Sequence, residues 1–143
     1  MLISEGRGRR VVSTNSAETV GIIDTFIIDP GLRRVVAVGL TKVTGRFTVL
    51  PWERLSFGAD AVTTGGITDL VVPEGQLAIL ADRHHSALGK RVLDTAGREL
   101  GTAHDADIDP ASGAVIALLV GDFAVPGTAL IGIGSYAVVV AAA

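Results

Sequence analysis

The chain has 143 residues, a formal net charge of −3 and no cysteine. The absence of cysteine excludes disulfides, thiolate metal sites and a cysteine nucleophile, and the net charge gives no overall attraction to a phosphate backbone. Apolar residues make up 48% of the sequence and aromatic residues only 4%, so we expect an aliphatic core. The first residues lack a charged leader followed by an apolar stretch, which makes a cytoplasmic location the default expectation.

Short apolar runs interrupted by glycine, proline, aspartate and asparagine predict a mainly β chain. In the first half, the predicted strands cover residues 10–13, 19–28, 34–40, 46–50 and 60–64. Asp29-Pro30-Gly31 predicts a tight turn, because proline fixes φ and glycine accepts a positive φ. Residues 65–87 follow, with a further strand candidate at 77–80. This segment is too apolar to be a free linker, and we expect it to pack on a neighbouring unit or to be exchanged between units.

The uncharged segment 123–143 is long enough to cross a bilayer. Pro126, Gly127, Gly132 and Gly134 would break or loosen a helix there, and the cluster Val138-Val139-Val140 favours a strand. The sequence therefore predicts two short buried strands in this segment and no transmembrane segment.

The two halves of the sequence repeat each other. Gly8-Arg9-Arg10-Val11-Val12 aligns with Gly89-Lys90-Arg91-Val92-Leu93, and Ile28-Asp29-Pro30 aligns with Ile108-Asp109-Pro110. The ends also correspond, since residues 57–62 match residues 133–138. This repeat predicts one unit over residues 1–64, a joining segment over 65–87 and a second unit over 88–143, packed with pseudo-twofold symmetry.

The repeated motif resembles the PRC-barrel family. Leu88-Gly89-Lys90-Arg91-Val92-Leu93-Asp94-Thr95-Ala96-Gly97-Arg98-Glu99-Leu100-Gly101 begins the family pattern, and residues 109–118 complete it. The first copy replaces the glycine-centred turn with Asn15-Ser16-Ala17-Glu18 but keeps Leu50-Pro51-Trp52-Glu53, which is similar to a late Pro-Trp element of the family. The second copy is expected to lack that element.

The resemblance implies two small, strongly bent antiparallel β-barrels of about six strands each. It is nearest to stand-alone bacterial PRC-barrel proteins, and more distant from the cytoplasmic domain of the reaction-centre H subunit and the barrel of a ribosome-maturation factor. The alanine, valine and arginine bias, with lysine only at Lys42 and Lys90, favours a GC-rich bacterial genome. None of the family barrels named here is itself catalytic, so the resemblance implies a protein-interaction or scaffold module, with no enzyme activity and no cofactor.

Several motifs suggest chemistry but lack the context that the chemistry needs. Gly132-Ile133-Gly134-Ser135-Tyr136-Ala137 has the spacing of a dinucleotide fingerprint, yet no helix can follow it. Asp105-Ala106-Asp107-Ile108-Asp109 places three carboxylates on one strand face, which we interpret as a solvated face rather than a calcium site. His84-His85 is a weak metal motif because adjacent strand residues point to opposite faces, and Ser86 has no orienting acid nearby in sequence.

Eight residues are candidates for interaction with a partner. Trp52, the only tryptophan, is expected either to close the core of the first barrel or to serve as an exposed anchor. The basic candidates are Arg7, Arg9, Arg10, Arg33, Arg34, Lys90 and Arg91. If the basic residues converge, they could bind RNA or the ribosome, which is the first alternative function. A small-ligand or enzymatic site in the cleft between the barrels is the second alternative, and a homodimer is also possible.

Overall fold

A computed structural model describes residues 1–43, 47–82 and 85–143, which form two six-stranded sheets. The first sheet contains β1 (Arg10–Ser13), β2 (Thr19–Asp29), β3 (Arg34–Thr41), β4 (Val49–Pro51), β5 (Leu55–Phe57) and β6 (Val62–Thr64). The second contains β7 (Arg91–Asp94), β8 (Glu99–Ile108), β9 (Val115–Val120), β10 (Phe123–Pro126), β11 (Leu130–Ile133) and β12 (Ala137–Val140). Two short helices, α1 (Ile3–Gly6) and α2 (Gln76–Ala81), precede the respective sheets.

Both sheets have the same strand order, β4-β3-β2-β1-β6-β5 in the first and β10-β9-β8-β7-β12-β11 in the second. This confirms the predicted mainly β fold built from two PRC-type barrels. Most neighbouring strands are antiparallel, but β1 pairs with β6 in parallel and β7 pairs with β12 in parallel. The wholly antiparallel barrel that the resemblance implies is therefore wrong at this one junction of each sheet.

The long second strand of each sheet is bent at equivalent places. The pairing of β2 with β3 is irregular between Ile23 and Thr25 and again between Ile27 and Ile28. The pairing of β8 with β9 is irregular between Ala103 and Asp105 and between Asp107 and Ile108. Such irregularities bend a strand and increase its twist, so one long strand can contribute to both sides of a small barrel.

The strand predictions are confirmed in the first half except near its end. Val49–Pro51 forms the strand predicted at 46–50, of which Arg46 lies outside the described residues. The strand Leu55–Phe57, which one turn of 3-10 helix (Trp52–Arg54) separates from β4, was not predicted. A strand of three residues is too short to show a clear alternation of apolar and polar residues in the sequence.

Two predictions in the rest of the chain are wrong. Residues 77–80 are helical and lie in Gln76–Ala81, whose leucine, alanine and glutamine have high helix propensity. The segment 123–143 contains three strands rather than two, because Gly127–Ala129 forms a 3-10 turn that separates β10 from β11.

The two barrels meet where β3 and β9 begin. Val35 N donates to the Gly113 carbonyl oxygen at 2.8 Å, and Val115 N donates to the Arg33 carbonyl oxygen at 2.9 Å. Arg34 and Ala114 form the antiparallel bridge between these two bonds. Because the bonded residues occupy equivalent positions in the two copies, the pseudo-twofold axis passes through this bridge. Buried residues of both barrels form one continuous apolar cluster.

The segment that precedes each barrel packs on the long strand of the other barrel. Ile108 N on β8 donates to the Met1 carbonyl oxygen at 2.8 Å, and Leu2 bridges Asp107. On the opposite side, Leu77, Leu80 and Ala81 pack on the first barrel, against the cluster of Ile27, Ala37 and Val49. The first barrel is thus covered by the joining segment.

Candidate functional site

Trp52 lies inside the molecule, at the contact between the barrels. It is 6% exposed, and its ring centroid lies 6.3 Å from that of Phe26 and 5.2 Å from that of Phe57. A Cβ added to Gly113 of the second barrel would lie 3.0 Å from the Trp52 Nε1 atom. The expectation that Trp52 closes the core is confirmed, and the alternative of an exposed anchor is wrong because the ring is enclosed by both barrels.

The equivalent position in the second barrel is occupied by glycine. Pro51-Trp52 corresponds to Pro126-Gly127, since Ala37 pairs with Pro51 and Ala117 pairs with Pro126. The second copy therefore keeps the proline and the 3-10 turn, and the expectation that it lacks the whole element is wrong. A Cβ on Gly127 would overlap the Val115 carbonyl oxygen, so β9 leaves no room for tryptophan there.

Arg33 and Gly113 are equivalent residues with the same unusual backbone conformation. Their φ angles are 55° and 80°, in the left-handed region that favours glycine. Arg33 keeps its side chain despite this conformation, and its Nε donates to the Leu130 carbonyl oxygen at 3.0 Å. The interface therefore has a large Trp52 facing Gly113 in one half, and a long Arg33 reaching the second barrel in the other half.

The basic residues near β1 contact the first barrel itself. Arg7 Nε donates to the Asp24 carbonyl oxygen at 3.0 Å. The Arg9 guanidinium lies 5.6 Å from the centroid of the Phe57 ring. Arg10 is exposed and pairs with Ile22 through the backbone.

The other basic candidates are divided between the interface and the second barrel. Arg33 contacts Leu130, and the adjacent Arg34 is exposed beside the pseudo-twofold axis. Lys90 Nζ donates to the Ser86 carbonyl oxygen, and burial lowers the pKa of this lysine, an effect that the Asp82 carboxylate partly offsets. Arg91 forms an ion pair with Glu99 at 3.3 Å. Use of these cations in RNA binding stays a prediction.

The acidic strand is not the solvated face that the sequence predicts. Asp105 is buried, its Oδ1 accepts a hydrogen bond from Ser4 N at 3.1 Å, and its Oδ2 accepts one from the Ser4 hydroxyl. Burial by itself raises the pKa of Asp105, but the hydrogen bonds from Ser4 and Ala106 outweigh this effect and the pKa lies below its usual value. Asp107 accepts from the Met1 amino group at 3.0 Å. These carboxylates hold the N-terminal segment on β8.

A cavity of about 540 Å³ lies between β2 on one side and residues 80–82 and 85–87 on the other. Its polar lining includes Arg7, Asp24, Thr25, Asp82 and His85. This cavity is formed by the first barrel and the joining segment, without residues of the second barrel. A small-ligand or enzymatic site in the cleft between the barrels stays a prediction. His84 lies outside the described residues, and within them no three potential metal-ligating side chains form a group.

Tyr136 of the second barrel was not among the predicted site residues. It is 68% exposed, its hydroxyl accepts a hydrogen bond from Arg91 Nη1 at 3.1 Å, and the guanidinium lies 4.9 Å from its ring centroid. Of the predicted candidates, Arg91 therefore belongs to an exposed aromatic and cationic pair. The aromatic content of the sequence is low, and an isolated tyrosine between Ser135 and Ala137 gives no signal of its exposure.

Across the part of the chain that the structure describes, no helix is long and apolar enough to cross a membrane. Comparison with curated proteins gives no match. A family model for the PRC-barrel domain matches residues 1–75, which include every strand of the first sheet. The second sheet repeats its strand order and its parallel junction. The chain therefore belongs to the PRC-barrel family.

Proposed function

We propose that this protein is a non-catalytic interaction or scaffold module that binds a partner protein through the second barrel. The observation that carries this proposal is a difference between equivalent surface positions of the two copies. Three large apolar or aromatic side chains are exposed on the second barrel, where the first barrel has a covered or polar residue. We call them the exposed apolar set, and they are Ile116, Phe123 and Tyr136.

The strand registers define the equivalent residues. Ile116 is 53% exposed, whereas the equivalent Val36 packs against the cluster covered by the joining segment. Phe123 is 49% exposed. It corresponds to Thr48, because the residues that follow them, Ala124 and Val49, are equivalent in the edge strands β10 and β4. Tyr136 corresponds to Asp60 in the turn before the last strand.

Large side chains that are exposed in one copy, but polar or covered at the equivalent positions of the other copy, favour a binding surface. Single exposed apolar residues are ordinary on protein surfaces, but the polar Thr48 and Asp60 and the covered Val36 indicate that the fold itself does not require exposed apolar side chains at these positions. Tyrosine and arginine are enriched among residues that dominate binding energy, and Tyr136 with Arg91 supplies both. The positive charge of Arg91 beside Tyr136 is balanced by its ion pair with Glu99.

The test is affinity purification of the tagged protein from its own organism at moderate salt, with and without nuclease, followed by mass spectrometry. We expect a nuclease-resistant protein partner, with recovery reduced by about tenfold or more in a double variant, Ile116→Ser with Tyr136→Ala. Ile79→Ser is the matched control, because Ile79 is a comparably exposed residue of α2.

Two outcomes would contradict the proposal. Equal recovery by the double variant and the wild type would remove the second barrel from the interaction. Nuclease-sensitive recovery of ribosomal proteins, lost on substitution of Arg9 and Arg10, would favour the RNA alternative instead.

A further inference from the structure

The loop after β6 closes one end of the first barrel. Leu70 in this loop is 4% exposed and belongs to the main apolar core. The next residue, Val71, donates its backbone N–H to the Val49 carbonyl oxygen at 2.8 Å and so extends the edge of β4. The loop thus inserts one leucine and adds one strand-like contact.

Asp69 fixes the loop in place. Its Oδ2 accepts hydrogen bonds from the Thr64 hydroxyl at 2.8 Å and from Gly66 N at 3.2 Å. Its Oδ1 forms an ion pair with Arg54 at 3.1 Å. These hydrogen bonds lower the pKa of Asp69, the one from Thr64 having the largest effect. The Thr64 hydroxyl and the Arg54 guanidinium therefore favour an aspartate immediately before Leu70.

The same end of the second barrel is open. The strand pairings identify equivalent residues in the two barrels. On the edge strands, Ala124 and Val125 correspond to Val49 and Leu50. Because Leu130 pairs with Val140 as Leu55 pairs with Thr64, Val140 corresponds to Thr64 and Ala129 corresponds to Arg54. All four of these second-barrel residues line a cavity of about 550 Å³. The cavity thus lies where the first barrel holds its own loop.

The cavity is lined mainly by apolar residues, and the charged side chains at its rim are paired. Leu100, Phe123, Pro126 and the residues Ala141, Ala142 and Ala143 that follow β12 also line it. At its rim, Arg98 Nε lies 3.1 Å from Asp94 Oδ2, and Glu99 is paired with Arg91. An apolar side chain entering this cavity would be removed from water without separating an ion pair, which favours binding.

We propose that this cavity binds a short extended segment of a partner protein that carries a leucine, with the following residue paired to the edge of β10 at Ala124. The segment would bind as Leu70 and Val71 do in the first barrel, by strand addition with a side-chain pocket. This inference rests on the proposed function and specifies where and how the partner binds.

The cavity also specifies the residue before the leucine. Ala129 and Val140 stand where Arg54 and Thr64 hold Asp69, so the second barrel offers neither a cation nor a hydroxyl at that position. An aspartate there would lose water without gaining a partner. The segment recognised by the second barrel therefore has an uncharged residue before its leucine.

The experiment is a titration of the full, isotope-labelled chain with a synthetic peptide, followed by NMR. The peptide has the sequence of residues 65–72 with Asp69→Ala. We expect chemical shift changes at Ala124, Val125, Ala129 and Val140, and binding weaker by about tenfold when the peptide also carries Leu70→Ser. The unaltered peptide, with aspartate, is expected to bind less tightly.

Two protein variants sharpen the test. Phe123→Ser should weaken binding, whereas Ile131→Ser should not, because both residues are 49% exposed but only Phe123 lines the cavity. Ala129→Arg restores the equivalent of Arg54 and should reverse the preference toward the peptide with aspartate. The amide spectra of the variants establish beforehand that each is folded.

Absence of shift changes at millimolar peptide, or changes confined to residues outside the cavity, would overturn the inference. The same would follow from shifts of the cavity amides that depend on protein concentration alone, since a second copy of this chain would then be the occupant. A negative titration together with retained partner recovery in the affinity purification would overturn this binding mode and leave the proposed function standing.

Discussion

Gly113 is the residue at which close packing and backbone conformation coincide. Its φ is 80°, and a Cβ would lie 2.8 Å from the Val35 carbonyl oxygen as well as 3.0 Å from Trp52 Nε1. Gly97 has a φ of 81° and no neighbouring atom within 4 Å of such a Cβ. Alanine at Gly97 would therefore cost stability only through the left-handed backbone conformation, whereas alanine at Gly113 would also crowd its neighbours.

We predict that Gly97→Ala lowers the free energy of unfolding by about 1–2 kcal/mol through the left-handed conformation alone. Gly113→Ala should lower it by a further 1–3 kcal/mol or so, because the added methyl group overpacks the interface. Urea unfolding of both variants, followed by Trp52 fluorescence and circular dichroism, measures the difference. Equal losses would show that the interface accommodates the methyl group.

Asp105 is predicted to make stability depend on pH in acid. Its pKa is lower in the folded protein than the unfolded value of about 3.9, so its contribution is complete above that value and is lost as the pH falls through the folded pKa. Asp105→Asn should cost about 1 kcal/mol at neutral pH and flatten the decline in unfolding free energy below pH ~4. Urea titrations at several pH values test this, and an unchanged acid slope would exclude Asp105 as its source.

The elements most easily predicted are those whose pattern is local. β1, β2 and β3 follow from apolar runs bounded by turn residues, and the Asp-Pro turn after β2 repeats in the second half. The parallel pairing of β1 with β6 is not local, because it depends on residues far apart in sequence. The helix α2 was mistaken for a strand because a short apolar run fits both periods.

The candidate site was predicted less completely than the fold. Residue type alone selected Trp52 and the arginines, and Trp52 proved to be buried. Phe123 and Tyr136 were missed because their exposure depends on which segment covers each barrel. The open cavity could not be predicted from the sequence either, because its equivalence to the loop site of the first barrel follows only from the strand pairing of the two copies.

At the level of elements, α2 is held on the first barrel by few side chains. Leu77 packs against the small cluster of Ile27, Ala37 and Val49, which is separate from the main core. We predict that Leu77→Ser accelerates hydrogen exchange at the Val71 amide, which donates to Val49 beneath this segment, by about tenfold or more. Exchange at Val11 in the main core serves as the internal control, and a parallel increase there would indicate global destabilisation instead.

Across the whole molecule, the shared core predicts that the two barrels unfold together. Val138 of the second barrel is fully buried in the same cluster as Trp52 of the first. Val138→Ala should lower stability by about 1–3 kcal/mol, and the unfolding transition seen by Trp52 fluorescence should shift as far as the one seen by circular dichroism. A fluorescence transition that does not move would mean that the barrels unfold independently.

The hydrogen-bonded bridge at Arg34 and Ala114 has a consequence for how the sequence can diverge. In a symmetric dimer of identical subunits, every substitution occurs twice, so a tryptophan at one position and a glycine at the equivalent one cannot coexist. Covalent linkage of the two copies removes that restriction, so Trp52 can lie against Gly113 while the equivalent residues of the opposite copies are Gly127 and Arg33. A substitution at the contact between the barrels can therefore change one copy without changing its equivalent in the other.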